Sequence, residues 1–86
     1  MRIDKFMQLS RIVKRRTLAE ALAREGLVWV NGKGVKPSYR VKVGDLIKVR
    51  LGKWMLTYEV MEVPTGKRVS TDYVKLVSKE EVSSEW

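Results

Sequence analysis

Lys14, Arg15 and Arg16 form a basic run three residues after Arg11, and Arg2 and Lys5 lie a little upstream. Such a cluster holds phosphate: arginine as a planar bidentate donor, lysine as a mobile point charge. If a helix starts near Arg15 to Thr17, its unpaired first amides and positive dipole end add to the same attraction. Lys33, in Asn31-Gly32-Lys33, and Lys36 supply further cations from a hairpin expected to stand beside that helix start. Other chemistry has little to work with. Cysteine and histidine are absent, so thiolate and imidazole nucleophiles, bases and metal ligands are missing, and the carboxylates do not gather in one constellation. No enzymatic activity, cofactor or metal is expected. Gly32 and Gly34 flank Lys33 without the spacing or the following helix of a nucleotide phosphate loop. Asp45 follows Gly44 in a turn, where aspartate usually serves the backbone. Asp4 suits a helix start, an ion pair orienting Arg2 or a neighbouring arginine, or direct contact with a ligand.

The charge is unevenly spread. Residues 1–42 carry eleven basic side chains against three acidic ones, whereas residues 43–86 carry seven of each, so the whole net charge of +8 sits in the first half. A polyanion-binding face joined to a neutral stabilising part has this distribution, and solubility alone does not require it. The 86 residues, 44% hydrophobic and 33% charged, fit one soluble domain of modest core. No apolar run approaches membrane-spanning length, and Met1-Arg2-Ile3-Asp4-Lys5 lacks the apolar stretch of a secretory signal. A cytoplasmic protein without a membrane partner is expected.

These side chains need elements to position them. Ile3, Phe6 and Met7 recur at the spacing of one buried helical stripe, with Asp4 near the helix start. After a turn through Ser10 to Val13, Leu18, Ala21 and Leu22 mark a second stripe, Thr17 and Glu20 are spaced as a capping box, and Gly26 suits termination; the helix could equally begin one or two residues before that box. The period then changes. Leu27 to Val30 runs into Asn31-Gly32, a strong hairpin signal. Lys36-Pro37-Ser38-Tyr39 reads as an extended connector and Gly44-Asp45 as a turn. Leu46 to Leu51 alternates a charged with an apolar face, Gly52-Lys53 makes another turn, and Trp54 to Val63 and Tyr73 to Val77 give two further strands around a polar Pro64-to-Arg68 loop. The reading is one domain, residues 1–86: a first part to about 50, a strand-rich extension over 51–78 and a flexible tail over 79–86. Trp29, Trp54 and Tyr39 are candidates for stacking on unpaired bases, although an apolar strand position is more often core and core is the favoured place for Trp29.

The ordered segments Arg2-Ile3-Asp4-Lys5-Phe6, Arg11 to Ala19, Val30-Asn31-Gly32-Lys33 with Lys36-Pro37-Ser38, and Val43-Gly44-Asp45 resemble the S-four-type RNA-binding domain, or αL motif, over residues 1 to about 50. The short strand-rich extension looks like that of the RqcP-type ribosome quality-control cofactors, relatives of the small heat-shock ribosome-binding proteins. The resemblance implies an α+β fold, two short helices packed on a small antiparallel sheet. It also implies binding of the free large ribosomal subunit that carries peptidyl-tRNA, with contacts to ribosomal RNA and tRNA and with the alanine-tailing factor RqcH as a partner. On the matching positions Arg2 and Arg16 would be the leading RNA contacts, supported by Lys5, Arg11, Lys14, Arg15, Lys33 and Lys36. The family often has serine or threonine where this chain has Arg15. A monomer is expected, reading RNA by shape and phosphate, with the Arg2 to Lys5 end and the Arg11 to Arg16 turn serving different RNA segments. The rival reading is a basic adaptor that binds an acidic protein; heat-stress or assembly factors binding ribosomal RNA without tRNA are the nearer alternatives.

Overall fold

The computed structural model describes residues 1–64 and 72–82. Two helices, α1 (Ile3–Leu9) and α2 (Arg16–Arg24), precede five strands: β1 (Val28–Val30), β2 (Lys33–Gly34), β3 (Leu46–Leu51), β4 (Trp54–Val60) and β5 (Val74–Glu81). The strands form one antiparallel sheet in the order β2-β1-β3-β4-β5. This is the expected α+β arrangement of two helices on a small antiparallel sheet. None of the described helices is long and apolar enough to cross a membrane.

The hairpins form where the sequence demands them. Val30 pairs with Lys33 across Asn31 and Gly32, whose φ angles of 52° and 84° are those a two-residue turn between twisted strands needs. Leu51 pairs with Trp54 across Gly52-Lys53, with Gly52 at φ 61°. Helix α2 ends as its glycine predicts. Gly26, at φ 76°, donates to the Ala23 carbonyl and Leu27 to that of Leu22, so the last turn closes on its own free carbonyls.

One face of the sheet is covered. Ile3, Phe6 and Met7 of α1, Ile12 and Val13 of the turn, Ala19 and Ala23 of α2, and Val28, Val30, Ile47, Val49 and Val60 of the strands form a single core. Each large aliphatic or aromatic side chain in it contributes about 1.5–3 kcal/mol by leaving water. Asp45, only 7% exposed, fastens the turns at the end of β3. It accepts from Asn31 Nδ2 at 3.2 Å, the Tyr39 hydroxyl at 2.9 Å and the Lys42 amide at 2.9 Å, while Asn31 Oδ1 accepts from the Leu46 amide at 3.0 Å. The expected structural role of Asp45 is thereby seen in its contacts.

Five readings need correction. The buried stripe of α2 is Ala19 and Ala23 with Leu22 half-buried, whereas Leu18 is 44% exposed; the alanines let the helix approach the sheet where leucines would hold it off. Thr17 is not a cap: of the two starts open for α2 the earlier one holds, with the helix beginning at Arg16, Arg15 as its N-cap and no side-chain cap bond. Lys36 to Tyr39 is a turn closed by the Tyr39 amide on the Lys36 carbonyl at 3.0 Å, with Pro37 where its fixed φ suits a turn. Strand β5 runs to Glu81, so Lys79 to Glu81 are paired with Trp54 to Leu56 and not frayed. Trp29 is not core: Val28 and Val30 take the buried face, so strand alternation turns Trp29 to the other side, half-exposed. The loop reading over Thr65 to Arg68 and the tail reading over 83–86 lie outside the described residues.

Candidate nucleic-acid interface

Helix α1 begins against the chain segment that follows the first hairpin. The Ile3 amide donates to the Tyr39 carbonyl at 2.7 Å, the Asp4 amide to that of Pro37 at 3.4 Å, and the Val41 amide to that of Met1 at 3.0 Å. Arg2 is consequently bridged to Arg40 as an isolated antiparallel pair. Asp4, the second residue of α1, belongs to this junction and is only 1% exposed. Its carboxylate accepts from the Lys5 amide at 2.7 Å and from Arg2 at 3.1 Å, and forms an ion pair with Arg16 at 3.4 Å.

The geometry is a fork. One buried carboxylate holds a guanidinium from each helix start, and both arginines remain about half exposed, 46% for Arg2 and 45% for Arg16. A guanidinium has five N–H donors, so each keeps most of its hydrogen-bonding capacity for solvent or a ligand. Because the cations are so exposed, these pairs contribute little to stability, about 0–1 kcal/mol each. Their consequence is orientation: two planar donors are set side by side before an anion arrives, which lowers the ordering cost of binding it.

Around the fork the other cations face water. Lys5, Arg11, Lys14, Arg15, Lys33 and Lys36 are all exposed. Arg15 and Lys14 adjoin Arg16 at the open start of α2, and the missing serine or threonine cap leaves that end without a side-chain acceptor. Lys36 shares with Arg2, Arg24, Glu20, Ala23, Pro37 and Ser38 a groove of about 450 Å³ between α2 and the Lys36–Tyr39 turn. Arg24 is paired with Glu20 along the helix. Lys33 stands on β2 at the sheet edge, and the segment brought beside Arg2 is Lys36 to Arg40, further along the chain. Arg24 and Arg40 are not among the expected contacts; Arg24 is placed here by the last turn of α2 and Arg40 by its long-range pairing with Arg2.

The fork also changes one expectation. Arg2 and Arg16 share Asp4, so the Arg2 end and the start of α2, expected to be apart, lie together in space.

Arg11 carries a conformational cost. It follows α1 at φ 67°, the left-handed position where glycine is favoured. Arg11→Gly is expected to raise stability by about 0.5–1 kcal/mol in urea unfolding while lowering affinity for ribosomal subunits in co-sedimentation. Unchanged affinity would mark Arg11 as a turn residue only.

With this geometry in hand, similarity to known proteins is informative. The S4 domain family model matches residues 1–47. The RQC P-site tRNA stabilizing factor of Helicobacter pylori (strain J99 / ATCC 700824) is 46% identical over 69 residues, covering 80% of this chain and 82% of that protein. The protein of the same description from Bacillus subtilis (strain 168) is 42% identical over 82 residues, covering 94% and 95%. Among solved structures, the trimeric heat shock protein 15 of Vibrio cholerae superposes with a TM-score of 0.78 at 27% identity, covering 91% of this chain and 82% of that one.

Proposed function

This chain belongs to the S4 domain family, among the RQC P-site tRNA stabilizing factors, and from that premise we propose that it binds the free large ribosomal subunit bearing peptidyl-tRNA during quality control of stalled translation. Its role is to hold RNA and not to transform it. The observation that carries the reading is the Asp4 fork, two pre-set and half-exposed guanidiniums on the half of the chain that holds all the excess charge. Lys5, Arg11, Lys14, Arg15, Lys33 and Lys36 extend the same positive field. Phosphates of structured RNA fit such a surface, because guanidinium and ammonium groups grip the backbone by charge and shape and not by base sequence. Ribosomal RNA and the tRNA are the partners, the protein acts as a cytoplasmic monomer, and RqcH engages the same loaded subunit.

The reading predicts salt sensitivity. About five phosphate contacts give a slope of log affinity against log salt on the order of −4. Filter binding to large-subunit RNA from low to physiological salt measures it. A flat dependence would favour a basic adaptor for a protein partner.

A further inference from the structure

The helices cover one face of the sheet, and the other face is unaccounted for. Trp29 lies there with Lys48 as its cross-strand partner on β3, and Arg50 follows on the same face two residues on. On the β2 side Trp29 is opposite Gly34, which has no side chain and open space where one would stand. A depression of about 210 Å³ is lined by Trp29, Gly32, Lys48 and Met55. Trp29 is absent from the core and from the half-buried side chains packed against it. Trp54 differs: the ammonium groups of Lys53 and Lys79 lie 5.5 and 4.4 Å from its ring, so its surface is already occupied by the protein's own cations.

We propose that this outer face is a second RNA-contact surface, in which Trp29 stacks on an unpaired base while Lys48 and Arg50 take the adjoining phosphates. It rests on the RNA-binding role proposed above and adds a ligand class, single-stranded RNA, to the structured RNA held by the Asp4 fork. Charge favours RNA over a protein segment as occupant: β1 and β3 present Lys48 and Arg50 on this face and no acid, while the acids of the face, Glu59 and Glu80, stand on β4 and β5. An indole beside cations is the usual platform for a base and its phosphate, because every base has a π-face and stacking tolerates any sequence. The Asp4 fork lies on the helix side and Trp29 on the opposite side of the sheet. With Arg2 and Arg16 together in space, this face supplies the separate second contact that simultaneous grip on two RNA segments requires.

The test is binding of the full-length protein to a single-stranded hexa-adenylate by fluorescence anisotropy, alongside co-sedimentation with large subunits. Trp29→Ala should weaken oligonucleotide binding about tenfold or more, Trp29→Phe should retain most of it, and Lys48→Glu, which leaves the core untouched, should weaken it comparably. Arg16→Ala should impair subunit binding and lower the oligonucleotide affinity clearly less than Trp29→Ala does, which separates failure of the outer face from failure of the fork. Equal oligonucleotide affinity for wild type, Trp29→Ala and Lys48→Glu overturns the proposal, as does ultraviolet cross-linking of Trp29 to a protein and not to RNA on loaded subunits.

Discussion

Arg16→Ala should lower the affinity of the protein for large ribosomal subunits by about tenfold or more while leaving its thermal midpoint nearly unchanged. A charge-assisted hydrogen bond to phosphate contributes roughly 1.5–3 kcal/mol, and a single lost contact of 1.4 kcal/mol is already a factor of ten. Stability should hold because the side chain is 45% exposed and its ion pair with Asp4, at 3.4 Å, is a half-exposed one. Arg16→Lys should recover part of the binding, since an ammonium keeps the charge and loses the planar fork. Asp4→Asn extends the argument: both arginines stay, yet neither is held by an anion, so affinity should fall although the net charge rises by one. Lys79→Ala, on β5 and on the sheet face opposite Trp29 and Lys48, serves as the control. Co-sedimentation and thermal unfolding on the same samples decide the matter; equal losses of binding from Arg16→Ala and Lys79→Ala would remove the assigned face.

Asp45→Ala should destabilise the fold by about 3 kcal/mol, the largest effect on stability expected from any one substitution outside the apolar core. Three donors converge on this carboxylate, Asn31 Nδ2, the Tyr39 hydroxyl and the Lys42 amide, and each lost bond costs about 1 kcal/mol, more where the donor stays buried. For a domain this small that is a large share of the total, and the midpoint should fall by on the order of 10–20 °C. The same site responds to alkali. Desolvation raises the Tyr39 pKa above its ordinary 10.0, with the hydrogen bond and negative charge of Asp45 acting in the same direction, and burial raises that of Tyr58. Since the fold prefers both phenols neutral, the stability they contribute is present below the unfolded value and is lost as pH rises through the raised folded values. Urea unfolding from about pH 9 to about pH 11 should show that loss, and Tyr39→Phe should make it shallower. A midpoint indifferent to Asp45→Ala would contradict the role given to this cluster.

Local chemistry made much of the architecture legible. Asn31-Gly32 and Gly52-Lys53 produce hairpins at the expected positions, and Ile3, Phe6 and Met7 bury as their spacing requires. What escaped depends on long-range packing. Whether Trp29 faces the core is set by the register of β1 against β3, and a three-residue strand carries too little alternation to reveal it. The α2 stripe was misplaced toward leucines because Ala19 and Ala23 are individually weak hydrophobic signals, yet only small side chains fit where the helix meets the sheet. Strand β5 continues through polar Lys79 to Glu81 because β4 offers a partner, which composition does not show. For the site, the basic residues were visible as a run and a charge imbalance, and an ion pair to Arg2 was one of the readings of Asp4. Its joint hold on Arg2 and Arg16 was not legible, since it needs two helix starts to meet. Arg40 was missed for the same reason: its place beside Arg2 comes from one isolated bridge across 38 residues of chain.

Competition between empty large subunits and subunits bearing peptidyl-tRNA, each differently labelled and offered to the immobilised full-length protein, tests most directly whether it holds tRNA on the ribosome. The wild type should retain the loaded subunits in preference by about tenfold or more, because tRNA adds a linked set of phosphate contacts to those made with ribosomal RNA, and Arg2→Ala should reduce that preference. Equal retention of loaded and empty subunits by the wild type would contradict the account and leave a protein that binds ribosomal RNA alone.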